Sequence, residues 1–291
     1  MQKALKMATI AIVALAFLIF LSNILMNRIF YNPYRDYETD SKIFNLSVQT
    51  LMPNYSHAYI AVYEPGTPKS FSQFSQAIKI SQISAKRDIN DNAKIQGKMS
   101  YSFGKATYVK NKEDSSKNVF LQNDFSPERE IKEISIKEDS YYMAHIAVRS
   151  SLSTEEIMQK FPPIFTGDTG DLVRIIVKTS EDKNAVAMGM DCQSSFFVFG
   201  QGGYVNTVSP NQMEIIFKNN LRFLKENEKT LKLYLNSGFF GDIEINIEKR
   251  ISYLNDHGIE NLGVVVFARG DTLEKLLQNP KVFLTFLDED V

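Results

Sequence analysis

The residues of this sequence whose types could carry out chemistry are few, and the clearest motif is a single Asp168-Thr169-Gly170. This is the tripeptide of aspartic proteases, whose reaction needs two carboxylates that share a proton, so a chain with one copy would have to dimerise. The motif should also lie between apolar strand residues, whereas here Gly167 and Asp171 flank it. We therefore interpret it as a turn.

Cysteine and histidine form no pattern typical of a nucleophile or a metal site. Cys192 is the only cysteine, so no intramolecular disulfide can form, and no His or Lys lies near it in the sequence to activate its thiol. A small buried apolar side chain is the favoured interpretation, with a nucleophile as the alternative. His57, His145 and His257 are scattered, and none is paired with another His or a Cys at metal-ligand spacing. We predict no metal site.

The glycine-rich stretch Gly200-Gln201-Gly202-Gly203 and the acidic pair Glu155/Glu156 also have structural explanations. A phosphate cradle would place such glycines before a helix, usually with a Lys, but Tyr204-Val205 follows instead. We interpret the glycines as a hairpin or linker turn. Acids in a first helical turn complement the helix dipole, which explains the pair. The sequence thus predicts no catalytic residue and no cofactor, and we expect a protein that is not an enzyme.

An apolar run without a charged residue extends from Met7 to Met26. At about 1.5 Å per residue it spans about 30 Å, the thickness of the hydrocarbon core of a bilayer. The alternative, a cleaved signal peptide, has a shorter apolar core and small residues at its cleavage site, whereas residues 25–28 are bulky. We predict an uncleaved transmembrane helix over residues 7–27, and therefore a single-pass protein of the cell membrane.

Basic residues on the two sides of this helix indicate its orientation. Lys3, Lys6 and the free amine precede it, whereas Arg28 and Arg35 follow it. Excess positive charge favours the cytoplasmic side. We therefore place residues 1–6 in the cytoplasm as a tail, and everything after the helix outside the cell. The overall formal net charge of −1 provides no global basic field, so we expect no direct nucleic-acid partner.

The part beyond the membrane is predicted to divide into an N-terminal extracytoplasmic region, residues 28–139, and a C-terminal domain, residues 140–291. In the first, the residue pattern predicts a short amphipathic helix over 37–51 and strands over 58–63 and 100–109.

The C-terminal domain mixes strands with helices, which predicts an α+β fold in which the transmembrane helix is followed by an extracytoplasmic mixed α/β layered domain. Its helices are expected to begin at a Ser153/Glu156 capping box, at Ser209-Pro210, at Asp242 (ending at Gly258) and at Asp271/Thr272, and its strands to cover 141–149, 172–177, 262–267 and 282–287.

Two stretches of this domain carry a resemblance to a known family. Tyr142 to Ile157 reads as an apolar strand, a short turn and a helix that opens with Ser/Thr and acids. Leu254 to Phe267, continued by 272–277, reads as a helix, a glycine, Gly-Val-Val-Val and a Leu-rich helix. The pattern resembles the C-terminal domain of sigma factor regulators, found in membrane-bound anti-sigma factors of Gram-positive bacteria that control extracytoplasmic-function sigma factors. Met52-Pro53-Asn54 and the Tyr/Phe-rich stretch after it are similar to the companion N-terminal region.

The resemblance implies a non-enzymatic, membrane-anchored regulator with an extracytoplasmic sensing or interaction domain, and it supplies no site residues. Such anti-sigma factors hold the sigma factor through a cytoplasmic segment that precedes the membrane helix. In this sequence only residues 1–6 are predicted to lie there. A standard interface buries about 800 Å² per partner, which six residues cannot supply. Three interpretations remain open: a second membrane protein contacts the sigma factor, the start of the sequence is incomplete, or the domain has another use. The alternative function is a surface-anchored envelope enzyme or a cell-envelope assembly protein.

Overall fold

The computed structural model confirms the mixed α/β fold. It describes residues 2–29, 37–53, 55, 57–62, 78–86, 93–102, 105–110, 125–132, 135–161, 170–191, 195–198, 201–204, 209–240 and 244–290. The helices are α1 (Gln2–Ile29), α2 (Tyr37–Leu51), α3 (Thr154–Lys160), α4 (Pro210–Glu226), α5 (Glu228–Leu235), α6 (Ile247–His257) and α7 (Gly270–Leu277). The strands are β1 (His57–Val62), β2 (Ile78–Lys86), β3 (Ala93–Ser102), β4 (Lys105–Lys110), β5 (Tyr141–Leu152), β6 (Gly170–Val177), β7 (Met188–Met190), β8 (Ser195–Val198), β9 (Gln201–Tyr204), β10 (Asn261–Arg269) and β11 (Val282–Asp290).

A five-stranded sheet, in the order β11-β5-β10-β6-β7, forms the centre of the fold, and every neighbouring pair in it is antiparallel. The strand–helix–strand unit β5-α3-β6 is therefore split, because β10 lies between its two strands. Residues 142–148 of β5 are all buried. A strand is buried along its whole length only where both faces of its sheet are covered, because successive side chains point to opposite faces.

The two faces of this sheet belong to two apolar clusters. Ala144 and Ile146 of β5 lie in the larger cluster, which also includes residues of α2 to α7. The alternate positions Met143 and Ala147 lie in a smaller cluster with Val265 of β10. The period of two along each strand thus divides the core between the faces.

The helix starts follow the predicted caps in two cases and differ in two. Ser153 and Glu156 form the predicted capping box at α3, and Ser209 forms another with Gln212 at α4. The prediction that α6 starts at Asp242 was wrong: Asn246 caps α6 through the backbone N–H of Lys249, and residues 244–246 are not helical. Asp242 itself lies outside the described residues.

The helix α7 was predicted to be capped by Asp271/Thr272, and this was also wrong. Arg269 occupies the cap position and makes no side-chain capping bond. Asp271 instead accepts a hydrogen bond from Nε of Arg269 at 2.9 Å, so its carboxylate is committed to an ion pair. The helix α5, which follows α4 directly after Asn227, was not predicted.

A four-stranded antiparallel sheet, β1-β2-β3-β4, precedes the central sheet in the chain. The predicted strand over 100–109 is in fact parts of two strands, since Ser102 pairs with Lys105 and the chain reverses between them. Met99, Tyr101 and Ala106 are all buried. A continuous strand would place odd- and even-numbered positions on opposite faces, so only the reversal brings these three to one side.

The helix α1 contains the one stretch in the described part of the chain, Leu5–Ser22, that is long and apolar enough to cross a membrane. The stretch qualifies as a candidate span by its length and its apolar composition. None of that stretch is buried against the rest of the protein. The hydroxyls of Thr9 and Ser22 donate to the carbonyls of Leu5 and Ile19 within the helix, so these polar groups are satisfied internally, as an apolar surrounding requires.

Candidate functional site

The helix α2, which follows α1 after seven intervening residues, is buried on almost every side. Its apolar residues Ile43, Phe44 and Val48 are fully buried, as the predicted amphipathic pattern requires. Its polar residues Asp40 and Ser47 are buried as well. The Ser47 hydroxyl donates to the carbonyl of Ile43 at 2.6 Å. A helix buried all round is an internal element of the domain and not a surface linker.

Arg174 of β6 holds the C-terminal end of α2. Its side chain is 2 % exposed, its Nε donates to the carbonyl oxygen of Gln49 at 3.3 Å, and its Nη1 lies 3.4 Å from a carboxylate oxygen of Asp191. The last carbonyls of a helix have no partner within the helix and carry partial negative charge, so a guanidinium here both donates to one of them and complements the helix dipole. A buried cation requires such partners.

The absence of a side chain at Gly189 of β7 lets α2 approach the sheet. A Cβ atom at this position would lie 2.8 Å from Cβ of Pro53, 3.0 Å from the carbonyl oxygen of Gln49 and 3.1 Å from Cγ of Arg174. Separations this short between carbon atoms require movement of backbone on α2 or of a packed arginine. Glycine at this position therefore fixes how closely α2 can lie against β7.

The middle of α2 is held by an aromatic cluster. The ring of Phe44 lies 5.3 Å from that of Tyr234, 5.1 Å from that of Phe239 and 6.4 Å from that of Phe240, measured between centroids. These angled arrangements are the favoured geometry for aromatic pairs. Tyr234 belongs to α5, and the two phenylalanines follow the turn at Gly238, whose φ of +89° favours glycine.

The N-terminal part of α2 contacts α4 through a cation and a ring. The Nζ atom of Lys42 lies 4.4 Å from the centroid of Phe223. Partial burial lowers the pKa of Lys42, because the charged form loses water. The attraction between the ammonium group and the face of the ring offsets part of that cost.

The four-stranded sheet is attached to the same assembly. Its first strand, β1, contacts α2, and its last strand, β4, contacts α5. The backbone N–H of Tyr108 in β4 donates to the carbonyl of Ser237 at 2.8 Å, and the ring of Tyr108 meets that of Phe239 edge-on. The chain that follows the candidate span, the four-stranded sheet and the central sheet all meet at α2. We therefore consider α2 the candidate functional site.

The three histidines belong to three different elements of the described structure. His57 begins β1. His145 is buried in β5 with its ring stacked on that of Phe286 at 4.5 Å. His257 ends α6, where its ring stacks on Tyr253 at 4.3 Å. Among the residues that the structure describes, no group of three or more His, Cys, Asp and Glu could hold a metal ion.

The other residues selected from the sequence have structural surroundings or lie outside the described residues. The predicted hairpin is present between β8 and β9, but the interpretation of Gly202 and Gly203 as its turn was wrong, because both pair with β8 as residues of the strand β9. Glu155 and Glu156 begin α3, and hydrogen bonds from Ser153 lower the pKa of Glu156. Asp168, Thr169, Cys192 and Gly200 lie outside the described residues.

A surface network on the loop after β6 brings titratable side chains together. The hydroxyl of Tyr253 donates to a carboxylate oxygen of Glu181 at 2.6 Å, and Nζ of Lys178 lies 2.9 Å from the same atom. Burial and the bond to Glu181 raise the pKa of Tyr253. A base needs a phenol of lowered pKa, so this geometry favours a structural role that holds the loop to α6.

Arg174 was not recognised from the sequence. The only signal was a single charge inside the apolar strand Leu172 to Val177. An arginine in that context could equally lie on an exposed strand face, and the sequence does not reveal which helix end it would meet.

These observations define a mixed α/β domain that follows one candidate membrane span, with a buried helix joining the two. The family described as "Sigma factor regulator C-terminal" matches residues 134–289, more than half of the chain, and this protein belongs to that family. Neither a curated protein nor a solved structure matches the chain.

Proposed function

We propose that this protein is a membrane-anchored, non-enzymatic regulator of an extracytoplasmic-function sigma factor, with a domain outside the cytoplasm that senses an envelope signal. The observation that carries the proposal is the presence, in one chain, of the sigma factor regulator domain and of a candidate membrane span at Leu5–Ser22. A regulator built in this way can relate events on one side of the membrane to a transcription factor on the other.

In this proposal residues 1–6 lie in the cytoplasm, residues 7–27 cross the bilayer, and both the region 28–139 and the domain 140–291 lie outside. The excess of Lys3, Lys6 and the amine over the charges that follow the span supports this orientation. The exposed apolar side chains along α1 support contact with lipid.

The signal would pass through α2. This helix is packed against β6, β7, α4 and α5, and seven residues separate it from α1. In this proposal a rearrangement of the domain moves α2, and the short connection passes that movement to α1. Packed elements shift between discrete arrangements and do not deform smoothly. The proposed partner is a second membrane protein that lies beside α1 and contacts the sigma factor.

The first test is the topology. Single cysteines introduced at Lys3 and at Lys229, each in a Cys192→Ser background, would be challenged in whole cells with a reagent that cannot cross the membrane. We expect labelling at residue 229 alone, because Lys229 is exposed on α5 and lies beyond the span. Labelling at residue 3 and not at 229 would reverse the orientation, and loss of the protein from the membrane fraction would contradict the anchor.

The second test is the partner. The tagged full-length protein would be purified from cross-linked membranes and the bound proteins identified by mass spectrometry. Recovery of a sigma factor together with a second membrane protein is the expected result. Recovery of wall-assembly or envelope-assembly proteins without a sigma factor would contradict the proposed regulation.

A further inference from the structure

Charge is distributed unevenly along this nearly neutral chain. Residues 57–110, which contain the four-stranded sheet, have eight Lys/Arg and three Asp/Glu, a net charge of +5. The family domain, residues 134–289, has sixteen Lys/Arg and twenty-one Asp/Glu, a net charge of −5. The overall charge of −1 therefore conceals two regions of opposite sign. Such separation creates a local field that the net charge does not predict.

The basic region is concentrated in the strands themselves. The strands β1 to β4 contain six lysines and no Asp or Glu, the lysines being at positions 79, 86, 94, 98, 105 and 110. On β3, Lys98 is exposed between the buried Gly97 and Met99, and on β4 Lys105 is exposed beside the buried Ala106. Because side chains alternate along a strand, these two lysines lie on the face opposite to the core.

This outer face also presents other exposed side chains. Thr107 and Val109 of β4 are exposed, and Val109 pairs in register with Lys98. Val109 is 57 % exposed, an apolar side chain that lies opposite Lys98 and on the same strand face as Lys105. Lysines around an apolar side chain are the composition typical of protein surfaces that lie on lipid, where charges meet headgroups and the apolar group enters the interface.

The position of this sheet in the chain places it near the proposed membrane span. Its first strand contacts α2, and seven residues separate α2 from α1. Seven residues extend at most about 25 Å. A tether of that length keeps the sheet at a high effective concentration near the bilayer surface, so contacts that are individually weak are sufficient for docking.

We infer that the outer face of the four-stranded sheet, defined by Lys98, Lys105, Thr107 and Val109, docks on anionic phospholipid headgroups of the bilayer that holds α1. The inference rests on the proposed membrane anchor. The ammonium groups meet the phosphates of the headgroups, and docking orients the oppositely charged family domain away from the anionic surface. The protein would then respond to the charge of the membrane around it, in addition to any soluble signal.

The test uses the full-length protein in nanodiscs of phosphatidylcholine alone or with added phosphatidylglycerol. An amine-reactive reagent labels exposed lysines, and mass spectrometry compares Lys98 and Lys105 with the exposed Lys229 and Lys249 of α5 and α6 as internal controls. We expect the anionic lipid to reduce labelling of Lys98 and Lys105 about fivefold, the effect of one lysine at an anionic surface. At about 1 M salt, where charges are screened beyond about 3 Å, the protection should disappear.

A second readout separates docking from a change in folding. A fluorophore on Val109→Cys, in a Cys192→Ser background, reports energy transfer to headgroup-labelled lipid. The double variant K98E/K105E should lose the part of the transfer that depends on anionic lipid. The matched variant K229E/K249E, with the same change of net charge at exposed positions elsewhere, should retain it.

Three contrary results would separate failure of the docking surface, failure of the membrane anchor and binding to phosphate groups that do not belong to the bilayer. Stable insertion with equal labelling of Lys98 in both lipids would overturn the docking surface and leave the proposed function intact. Failure to insert into either bilayer would overturn the anchor and the inference together. Equal or stronger protection by soluble polyphosphate in neutral nanodiscs would overturn the bilayer as the source of the phosphate groups.

Discussion

Arg174 of β6 donates a hydrogen bond from Nε to the carbonyl oxygen of Gln49, 3.3 Å away and 125 residues earlier in the chain. This contact joins the strand of one sheet to the end of the helix that follows the candidate span. Its guanidinium also faces Asp191, so the position of α2 is coupled to a buried charge. Any change that removes the guanidinium leaves a helix carbonyl and a carboxylate without this partner.

Replacing this arginine by methionine should therefore be costly. We expect R174M to lower the free energy of unfolding by about 3 kcal/mol, because methionine cannot replace the buried contacts of the guanidinium with Gln49 and Asp191. The measurement is thermal or denaturant unfolding of the protein in detergent, followed by circular dichroism. Arg149 provides the control, since its side chain is 43 % exposed in its pair with Glu130. R149M should change the free energy of unfolding by less than about 1 kcal/mol. Equal losses in the two variants would show that the buried contacts of Arg174 stabilise the fold no more than an exposed ion pair does.

The close approach at Gly189 gives a second prediction. In G189A the added methyl group must displace Pro53 or the backbone at Gln49, so the end of α2 should open and become accessible to limited proteolysis. G258A is the matched comparison: an added Cβ meets nothing within 4 Å there, but φ is +79°. That variant should lose about 1 kcal/mol through backbone strain without exposing α2. Identical proteolytic patterns for both variants would contradict the argument.

The cap of α3 gives a third prediction. Ser153 accepts a hydrogen bond from the backbone N–H of Glu156, whose carboxylate accepts one in return from the backbone N–H of Ser153 at 2.8 Å. S153A should cost about 1 kcal/mol in unfolding free energy, the usual value of such a cap. S153D keeps an acceptor and should recover most of that loss. S151A, at an exposed position nearby in β5, should have no measurable effect.

Acid should weaken the pair at the start of α7. Hydrogen bonds from Arg269 lower the pKa of Asp271 from 3.8 to about 2. Because the folded state lowers this pKa, the pair stabilises the protein above pH 3.8, and the contribution is lost as the pH falls from there towards about 2. The melting temperature of D271N should consequently fall less steeply over that range. The melting temperature of R269M should show the same weaker dependence on pH. If the melting temperature of D271N fell with pH as steeply as that of the unmodified protein, the attribution of this acid sensitivity to Asp271 would be wrong.

Local features of the fold could be predicted where they depend on a few neighbouring residues. The bounds of α2 at Tyr37 and Leu51 and the caps at Ser153 and Ser209 were predicted correctly. A cap is a contact between residues three apart, so the sequence pattern contains all of it. Gly258, the predicted end of α6, has a φ of +79°, which few other residues tolerate.

Features that depend on distant residues could not be predicted. The sequence of α2 reads as amphipathic, yet its polar Asp40 and Ser47 are buried because β1, β7, α4 and α5 surround it. The insertion of β10 between β5 and β6 likewise depends on pairing between distant residues: Asn261 pairs with Leu152, 109 residues away, and with Val177, 84 residues away. No local pattern indicates these partners, and the same lack of local information left Arg174 and its role unrecognised.

The burial of α2 also has a consequence for synthesis. The ribosome makes this helix well before its partners, because Arg174 follows Gln49 by 125 residues, and Tyr234, the partner of Phe44, is made later still. Until those residues emerge, the apolar side chains of α2 lack their final contacts, and such exposed surfaces promote aggregation. A chain that stops before β6 therefore presents a helix whose apolar side chains lack most of their partners. The contacts that hold α2 in the finished protein therefore also set how much of the chain must be synthesised before its apolar face is covered.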